Sequence, residues 1–130
     1  MVLAELHGGG DSLLNSAPQG STSFAHRDTL FTWQFLGLTF NEQPPFPQAG
    51  IDLIHGIFSS MASKTPPKDV KGYVNMFDST LAAKDAHNRY YGNAPWDGKR
   101  GSEGVYDKLA IIKRRYDPGF LFWNPQAIGV

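Results

Sequence analysis

The sequence has 130 residues, which is enough for a domain with a buried core. Hydrophobic residues make up 41% of it and charged residues 18%, a balance that excludes a disordered or fibrous chain. Twelve Lys and Arg match twelve Asp and Glu, and this net charge of zero argues against nucleic acid as a partner. The absence of cysteine excludes disulfides, thiolate catalysis and thiolate metal sites.

The apolar segments of the sequence are short. None approaches the roughly 20 residues that a membrane-spanning helix needs, so we expect no membrane partner. The first seven residues lack a basic region and contain Glu5, so this stretch does not resemble a signal peptide. The compartment of the protein is left open by these features.

Two strands are predicted in the first third of the chain. Residues 2–7 alternate with period two, and three glycines end the segment before a polar loop at 11–23. Residues 29–40 are rich in aromatic residues and threonine, which favours a second strand. One face of this strand carries Phe31, Trp33 and Phe35, and the other carries Thr32 and Gln34. We expect the aromatic face to cover a core and the other to line a cavity.

Helices dominate the predicted elements of the remaining chain. The spacing of apolar residues predicts helices at 47–63 and 106–116. A third helix is predicted to run toward Tyr90, with Ser79 or Thr80 as its N-cap. Short extended segments are predicted at 72–77 and 120–123. This order predicts the α+β class, with an antiparallel sheet and flanking helices.

Several short motifs fail on inspection. Residues 26–28 spell His-Arg-Asp but lack the other parts of a kinase catalytic loop. Residues 92–100 approximate a phosphate-binding loop, but the spacer is too long and Arg100 replaces the Ser or Thr. The glycines at 8–10 lack dinucleotide-binding spacing and predict a plain turn. The four histidines show no ligand spacing, so we expect no metal site.

Five stretches taken together carry more information than any one of them. In chain order they are residues 24–31 (FAHRDTLF), 72–75 (GYVN), 89–93 (RYYGN), 108–118 (KLAIIKRRYDP) and 122–129 (FWNPQAIG). In this order they resemble the C-terminal part of the berberine bridge enzyme-like flavoproteins of the vanillyl-alcohol oxidase superfamily, and fungal members in particular. The resemblance covers almost the whole chain.

The resemblance implies a domain organisation. Residues 1–70 would be the later part of the substrate domain and 71–130 the berberine-like C-terminal segment. The chain would thus be a partial substrate domain, and the N-terminal FAD-binding domain of the family would be its partner, in the same or a separate chain. FAD is the implied cofactor of the complete enzyme. We expect little FAD affinity from these 130 residues alone, because they contain no loop that cradles phosphate.

The resemblance also assigns roles to single residues. Tyr73 and Asn75 match the Tyr-x-Asn segment that faces the flavin ring in the family, which implies Tyr73 as catalytic base and Asn75 as a cofactor-binding residue. A phenol, with an ordinary pKa near 10, is a poor base at neutral pH unless a nearby positive charge favours its ionised form. The alternative for Tyr73 is a core tyrosine on a strand.

Further site residues follow by position. Thr32 and Gln34 lie on the strand that supplies cavity residues in relatives, which implies substrate binding; a structural hydrogen bond is the alternative for Gln34. Asn124 and Gln126 match the segment that returns to the FAD domain, which implies cofactor contact or packing. Around Asn93 the sequence departs from the family by a glycine-rich insertion, for which we expect a surface loop.

The implied function is that of part of an FAD-dependent oxidoreductase. Such an enzyme oxidises an alcohol or an activated C–H of a small-molecule substrate, a sugar or secondary metabolite, with hydride passing to flavin and oxygen as acceptor. Two alternatives remain open: a stand-alone binding or accessory module without catalysis, and a non-functional truncation.

Overall fold

The computed structural model describes residues 1–40, 43–92 and 94–129; Asn93 lies outside the described residues. Two strands, four α-helices and a short 3-10 turn at Pro67–Asp69 make up the regular structure. In chain order the strands and helices are β1 (Val2–Leu6), α1 (Leu13–Ser16), β2 (Phe31–Phe35), α2 (Gln48–Ala62), α3 (Ala83–Tyr91) and α4 (Val105–Tyr116). No helix in the described part of the chain is long and apolar enough to cross a membrane.

The chain divides into two units. The first contains residues 1–6 and 31–70, and the second contains residues 7–30 and 71–130. In the first unit, β1 and β2 form an antiparallel pair with Leu6 opposite Phe31 and Val2 opposite Phe35. Since successive side chains along a strand point to opposite faces, Thr32 and Gln34 lie on the face away from the three aromatic residues of β2.

The helix α2 packs against the sheet of the first unit through aromatic residues. Phe58 meets Phe35 edge-on, with ring centroids 6.1 Å apart. The other two aromatic residues of the β2 face remain exposed, since Phe31 and Trp33 each keep 44% of their surface accessible. The expectation that this aromatic face covers a core is therefore wrong for two of its three residues within the first unit.

The second unit holds the better-packed core. Its buried apolar residues come from the segment before β2 and from both later helices: Ala25, Ala86, Tyr90, Tyr91 and Val105. Leu109 of α4 and Ile128 near the C-terminus pack against this cluster. The two helices α3 and α4 thus present their inner faces to one core, as their 3.6-residue periodicity predicts.

The fold class is confirmed: an antiparallel sheet and helices form an α+β fold. Helices α2 and α4 begin and end within one residue of their predicted limits. The strand predicted at 29–40 is shorter than expected, because Leu36 N–H still donates to Met1 C=O but no described residue pairs with the strand beyond it. The loop predicted at 11–23 contains the short helix α1, which Ser12 caps.

Two predicted extended segments are wrong. Residues 72–77 form a turn, because Met76 N–H donates to Tyr73 C=O and no described strand lies beside them. Residues 120–123 bend back toward the end of α4, because the Asp117 carboxylate accepts the N–H groups of Leu121 and Phe122. Lys113 pairs with the same carboxylate and holds the pKa of Asp117 below its usual value.

The start of α3 also differs from its prediction. The helix begins at Ala83, and its N-cap residue Ala82 has no side chain that can accept a hydrogen bond. Thr80, one of the two predicted caps, instead donates through its hydroxyl and its N–H to the carboxylate of Asp78. The capping prediction was wrong because an aspartate two residues earlier takes the hydroxyl of this threonine.

Candidate active site

Tyr73 lies at the first position of a tight turn in the second unit. The turn is closed by a 2.8 Å hydrogen bond from Met76 N–H to Tyr73 C=O. Asn75 occupies the third position, where asparagine is favoured because its side chain tolerates turn conformations. The turn brings the two predicted residues together, and Asn75 Nδ2 donates to the Tyr73 phenol oxygen at 2.9 Å.

The ring of Tyr73 packs against Phe24. The two rings meet edge to face, with centroids 6.1 Å apart and planes at 79°. Phe24 also contacts the ring of His26 at 6.0 Å, and the Arg27 guanidinium lies 5.8 Å from its centroid. An aromatic ring packed between several groups has little freedom to move, so Phe24 offers Tyr73 a fixed surface.

The backbone before Tyr73 is held against α3. Gly72 N–H donates to Arg89 C=O at 2.9 Å, and His26 Nε2 donates to the same carbonyl at 2.7 Å. Burial lowers the pKa of His26, so the ring is neutral with its proton on Nε2, as the carbonyl acceptor requires. A Cβ on Gly72 would lie 2.9 Å from the Tyr90 ring, which only glycine avoids.

The backbone after the turn is held by Gln126. Its side-chain Nε2 donates to the carbonyls of Asp78 at 2.6 Å and Leu81 at 2.8 Å, and its Oε1 accepts from the Tyr90 hydroxyl at 2.6 Å. The residue is buried. Both polar atoms of its amide are therefore engaged inside the second unit, which favours packing over cofactor contact as its role.

Asn124 is exposed and shapes the turn that precedes Gln126. Its Oδ1 accepts the Gln126 N–H at 2.8 Å, and its carbonyl accepts the Ala127 N–H at 2.9 Å. This turn directs the Gln126 side chain inward, while Asn124 itself stays at the surface. Its side-chain amide thus has one atom committed to the fold.

A second aromatic cluster lies deeper in this unit. His87 stacks on Tyr106 with centroids 4.6 Å apart, and its Nε2 donates to Gln126 C=O at 2.9 Å. Tyr91 packs beside both rings. Burial, with the neighbouring tyrosines, raises the pKa of Tyr91 to about 12, so Tyr91 keeps its proton and cannot act as a base near neutral pH.

The two predicted substrate-binding residues lie in the first unit. Thr32 stands opposite Glu5 and Gln34 opposite Leu3 in the sheet register, and both are half-buried. Tyr73 and the residues around it belong to the second unit. Their roles as substrate-binding residues stay a prediction.

Two of the three amides of the triglycine segment donate to groups within the chain. Gly8 N–H donates to Leu30 C=O at 3.1 Å, and Gly9 N–H donates to the Asn15 side-chain oxygen at 2.7 Å. Amides committed in this way cannot cradle a phosphate, which agrees with a plain turn. Among residues 1–40, 43–92 and 94–129, no group of three or more His, Asp or Glu side chains is placed so that it could hold a metal ion.

The chain is similar to known proteins in sequence and in structure. The family model described as "Berberine and berberine like" matches residues 101–129. The glucooligosaccharide oxidase of Sarocladium strictum is 34% identical over 124 residues, which cover 92% of this chain. The solved structure of glucooligosaccharide oxidase from Acremonium strictum, which carries a 6-S-cysteinyl, 8α-N1-histidyl FAD, superposes with a TM-score of 0.73 at 29% identity over 98% of this chain. Residues 101–129 belong to the berberine-like family, and the whole chain is similar to part of these fungal FAD-linked oxidases.

The chain is short beside its relatives. It spans 22% of the Sarocladium enzyme and 25% of the solved Acremonium chain. The chitooligosaccharide oxidase of Gibberella zeae shows the same proportion, with 30% identity over 95% of this chain and 23% of that protein. These relatives are fungal, and their names describe oxidases of oligosaccharides.

Sequence reasoning missed the residues that hold Tyr73. Phe24, His26 and Tyr90 lie in the stretches that carry the family resemblance, but the sequence assigned no site role to any of them. One signal was present: a glycine directly before the proposed base often marks a close approach of backbone to another group. The contact of Gly72 with Tyr90 fits that signal.

Proposed function

We propose that this chain supplies the substrate-side part of an FAD-dependent oxidase that oxidises a hydroxyl group of an oligosaccharide. The observation that carries the proposal is the similarity to glucooligosaccharide oxidase along 92% of the chain. We assign residues 1–70 to the later part of the substrate domain and 71–130 to the berberine-like segment. The partner is the FAD-binding domain, and oxygen is the final electron acceptor.

The residues of this chain fit one side of the cofactor only. The amides of Gly8 and Gly9 are bonded within the chain, so we place the diphosphate of FAD on the partner domain. Tyr73 is half-buried and accepts a hydrogen bond from Asn75, and Asn124 is exposed. Both residues are therefore accessible to the flavin ring or the substrate. FAD supplies the hydride acceptor when it is bound. We therefore expect negligible FAD affinity from this chain alone.

Tyr73 is the base in this proposal. In this role the Tyr73 oxygen would take the proton of the sugar hydroxyl while the hydride of the same carbon would go to the flavin, so that the alcohol becomes a carbonyl. Thr32 and Gln34 cannot serve as bases at neutral pH, since a hydroxyl and an amide do not take a proton usefully. We propose that they contact substrate instead.

Of the three residues predicted to bind the cofactor, two are exposed and one is buried. Asn75 and Asn124 are exposed, so each remains available for contact with flavin or substrate. Gln126 is buried with both amide atoms bonded inside the unit, so we assign it to packing beneath the site.

The test is peroxide release by the flavin-containing protein that carries this chain. We expect a flavin absorption spectrum and peroxide that appears only when an oligosaccharide is added, across a panel of gluco-, chito- and xylo-oligosaccharides. A colourless protein that releases no peroxide with any of them would contradict the proposal and favour an accessory module.

A further inference from the structure

We propose that Asn75 is a positioning residue that acts through Tyr73, by holding its phenol oxygen in one place. This inference rests on the proposed role of Tyr73 as base. It gives Asn75 a partner within the chain, where the family resemblance assigns it to the cofactor. The observation behind it is the 2.9 Å hydrogen bond from Asn75 Nδ2 to the Tyr73 oxygen.

The two ends of the Tyr73 side chain are held by different groups. The ring meets Phe24 edge-on at 6.1 Å, and the oxygen meets the amide of Asn75. The phenol oxygen lies on the axis of χ2, so only a change in χ1 displaces it, and a contact at the ring alone leaves χ1 able to shift. The bond from Asn75 removes that freedom.

The chemistry of the amide suits this role in both protonation states of the phenol. An amide nitrogen only donates, so Asn75 occupies an acceptor position of the oxygen whether or not the phenol proton is present. The contact therefore persists while Tyr73 takes up and releases a proton. Within the described part of the chain only Asn75 bonds to this oxygen, which leaves its other positions for a substrate hydroxyl.

The contribution of this bond to folding is small. Asn75 is exposed, and a hydrogen bond at an exposed site contributes little to the stability of the fold because water competes for both partners. The turn itself is closed by backbone atoms of Tyr73 and Met76, so it does not depend on the asparagine side chain. A variant of Asn75 therefore separates the position of the phenol from the stability of the unit.

The first measurement uses the full chain and needs no flavin. The three-bond couplings between Hα and Hβ of Tyr73 report the populations of its χ1 rotamers. We expect couplings of one rotamer in the wild type and averaged couplings in Asn75→Leu. Asn88→Leu, the same substitution at an exposed site of α3, serves as the control and leaves the couplings unchanged. Unchanged couplings in Asn75→Leu overturn the proposal.

The second measurement uses the flavin-containing protein. In Asn75→Leu we expect kcat to fall roughly 10- to 100-fold with KM nearly unchanged, since a misplaced catalytic group loses rate at that scale. An unchanged kcat overturns the positioning role. If Tyr73→Phe itself keeps full turnover, the proposed role of Tyr73 as base fails, while the couplings still decide whether Asn75 fixes Tyr73.

Discussion

At the scale of single residues, Gln126 explains how a surface turn is held in place. Its amide is bonded to two backbone carbonyls and one hydroxyl, all inside the second unit. The carbonyl acceptors, on Asp78 and Leu81, follow the turn that carries Tyr73. The position of Tyr73 therefore depends on a residue about fifty positions further along the chain.

Substitution of Gln126 tests this dependence. We expect Gln126→Leu to lower the free energy of unfolding by about 2–4 kcal/mol, because it leaves buried polar groups without partners. Urea denaturation followed by circular dichroism measures the change. Gln48→Leu is the matched control: among the described residues this exposed glutamine bonds only to Asp52 of the same helix, so we expect its loss to change the free energy of unfolding by less than about 0.5 kcal/mol. Equal effects of the two variants would contradict the packing role.

The sequence predicted some of these residue-level features and not others. Tyr73 and Asn75 were expected to act on one site, and they are in contact, although a turn and not a strand brings them together. For Gln126 the sequence left packing and cofactor contact open. Its partner Tyr90 lies 36 positions away, and no local pattern reports a contact at that separation.

At the scale of elements, the long helices α2 and α4 were predicted well, whereas the extended segments predicted at 72–77 and 120–123 were wrong. The helices α2 and α4 follow from apolar periodicity, which is a local property. The stretch at 72–77 contains Tyr, Val and Phe, which favour strands, but strand propensity depends on a neighbouring strand. Gly72 packs on Tyr90 and Asn75 occupies a turn position, so the segment bends instead.

Two glycine substitutions test these elements with opposite signs. Gly72→Ala would put a Cβ 2.9 Å from the ring of Tyr90, whose hydroxyl is bonded to Gln126, so we expect a loss of about 1–3 kcal/mol in stability. Gly56→Ala, inside α2, meets nothing within 4 Å, so we expect a gain of about 0.5–1 kcal/mol from helix propensity. Thermal unfolding of both variants measures the signs. A stabilised Gly72→Ala would refute the close contact.

At the scale of the whole molecule, the exposed apolar residues are the notable feature. Phe31 and Trp33 are exposed in the first unit, and Leu121, Phe122 and Trp123 are exposed in the second. Large apolar side chains in this number at a surface are typical of interfaces. They agree with a chain that spans 22% of a related oxidase and that we propose to work with an FAD-binding domain.

The central claim is that Tyr73 is the base of a flavin-dependent sugar oxidation. The most direct test is the rate of flavin reduction by oligosaccharide without oxygen, in the flavin-containing protein and in its Tyr73→Phe variant. Phenylalanine keeps the ring against Phe24 and removes only the oxygen. We predict a rate lower by a factor of roughly 100 to 10,000, with the flavin spectrum unchanged. Reduction at the same rate in both proteins would contradict the account.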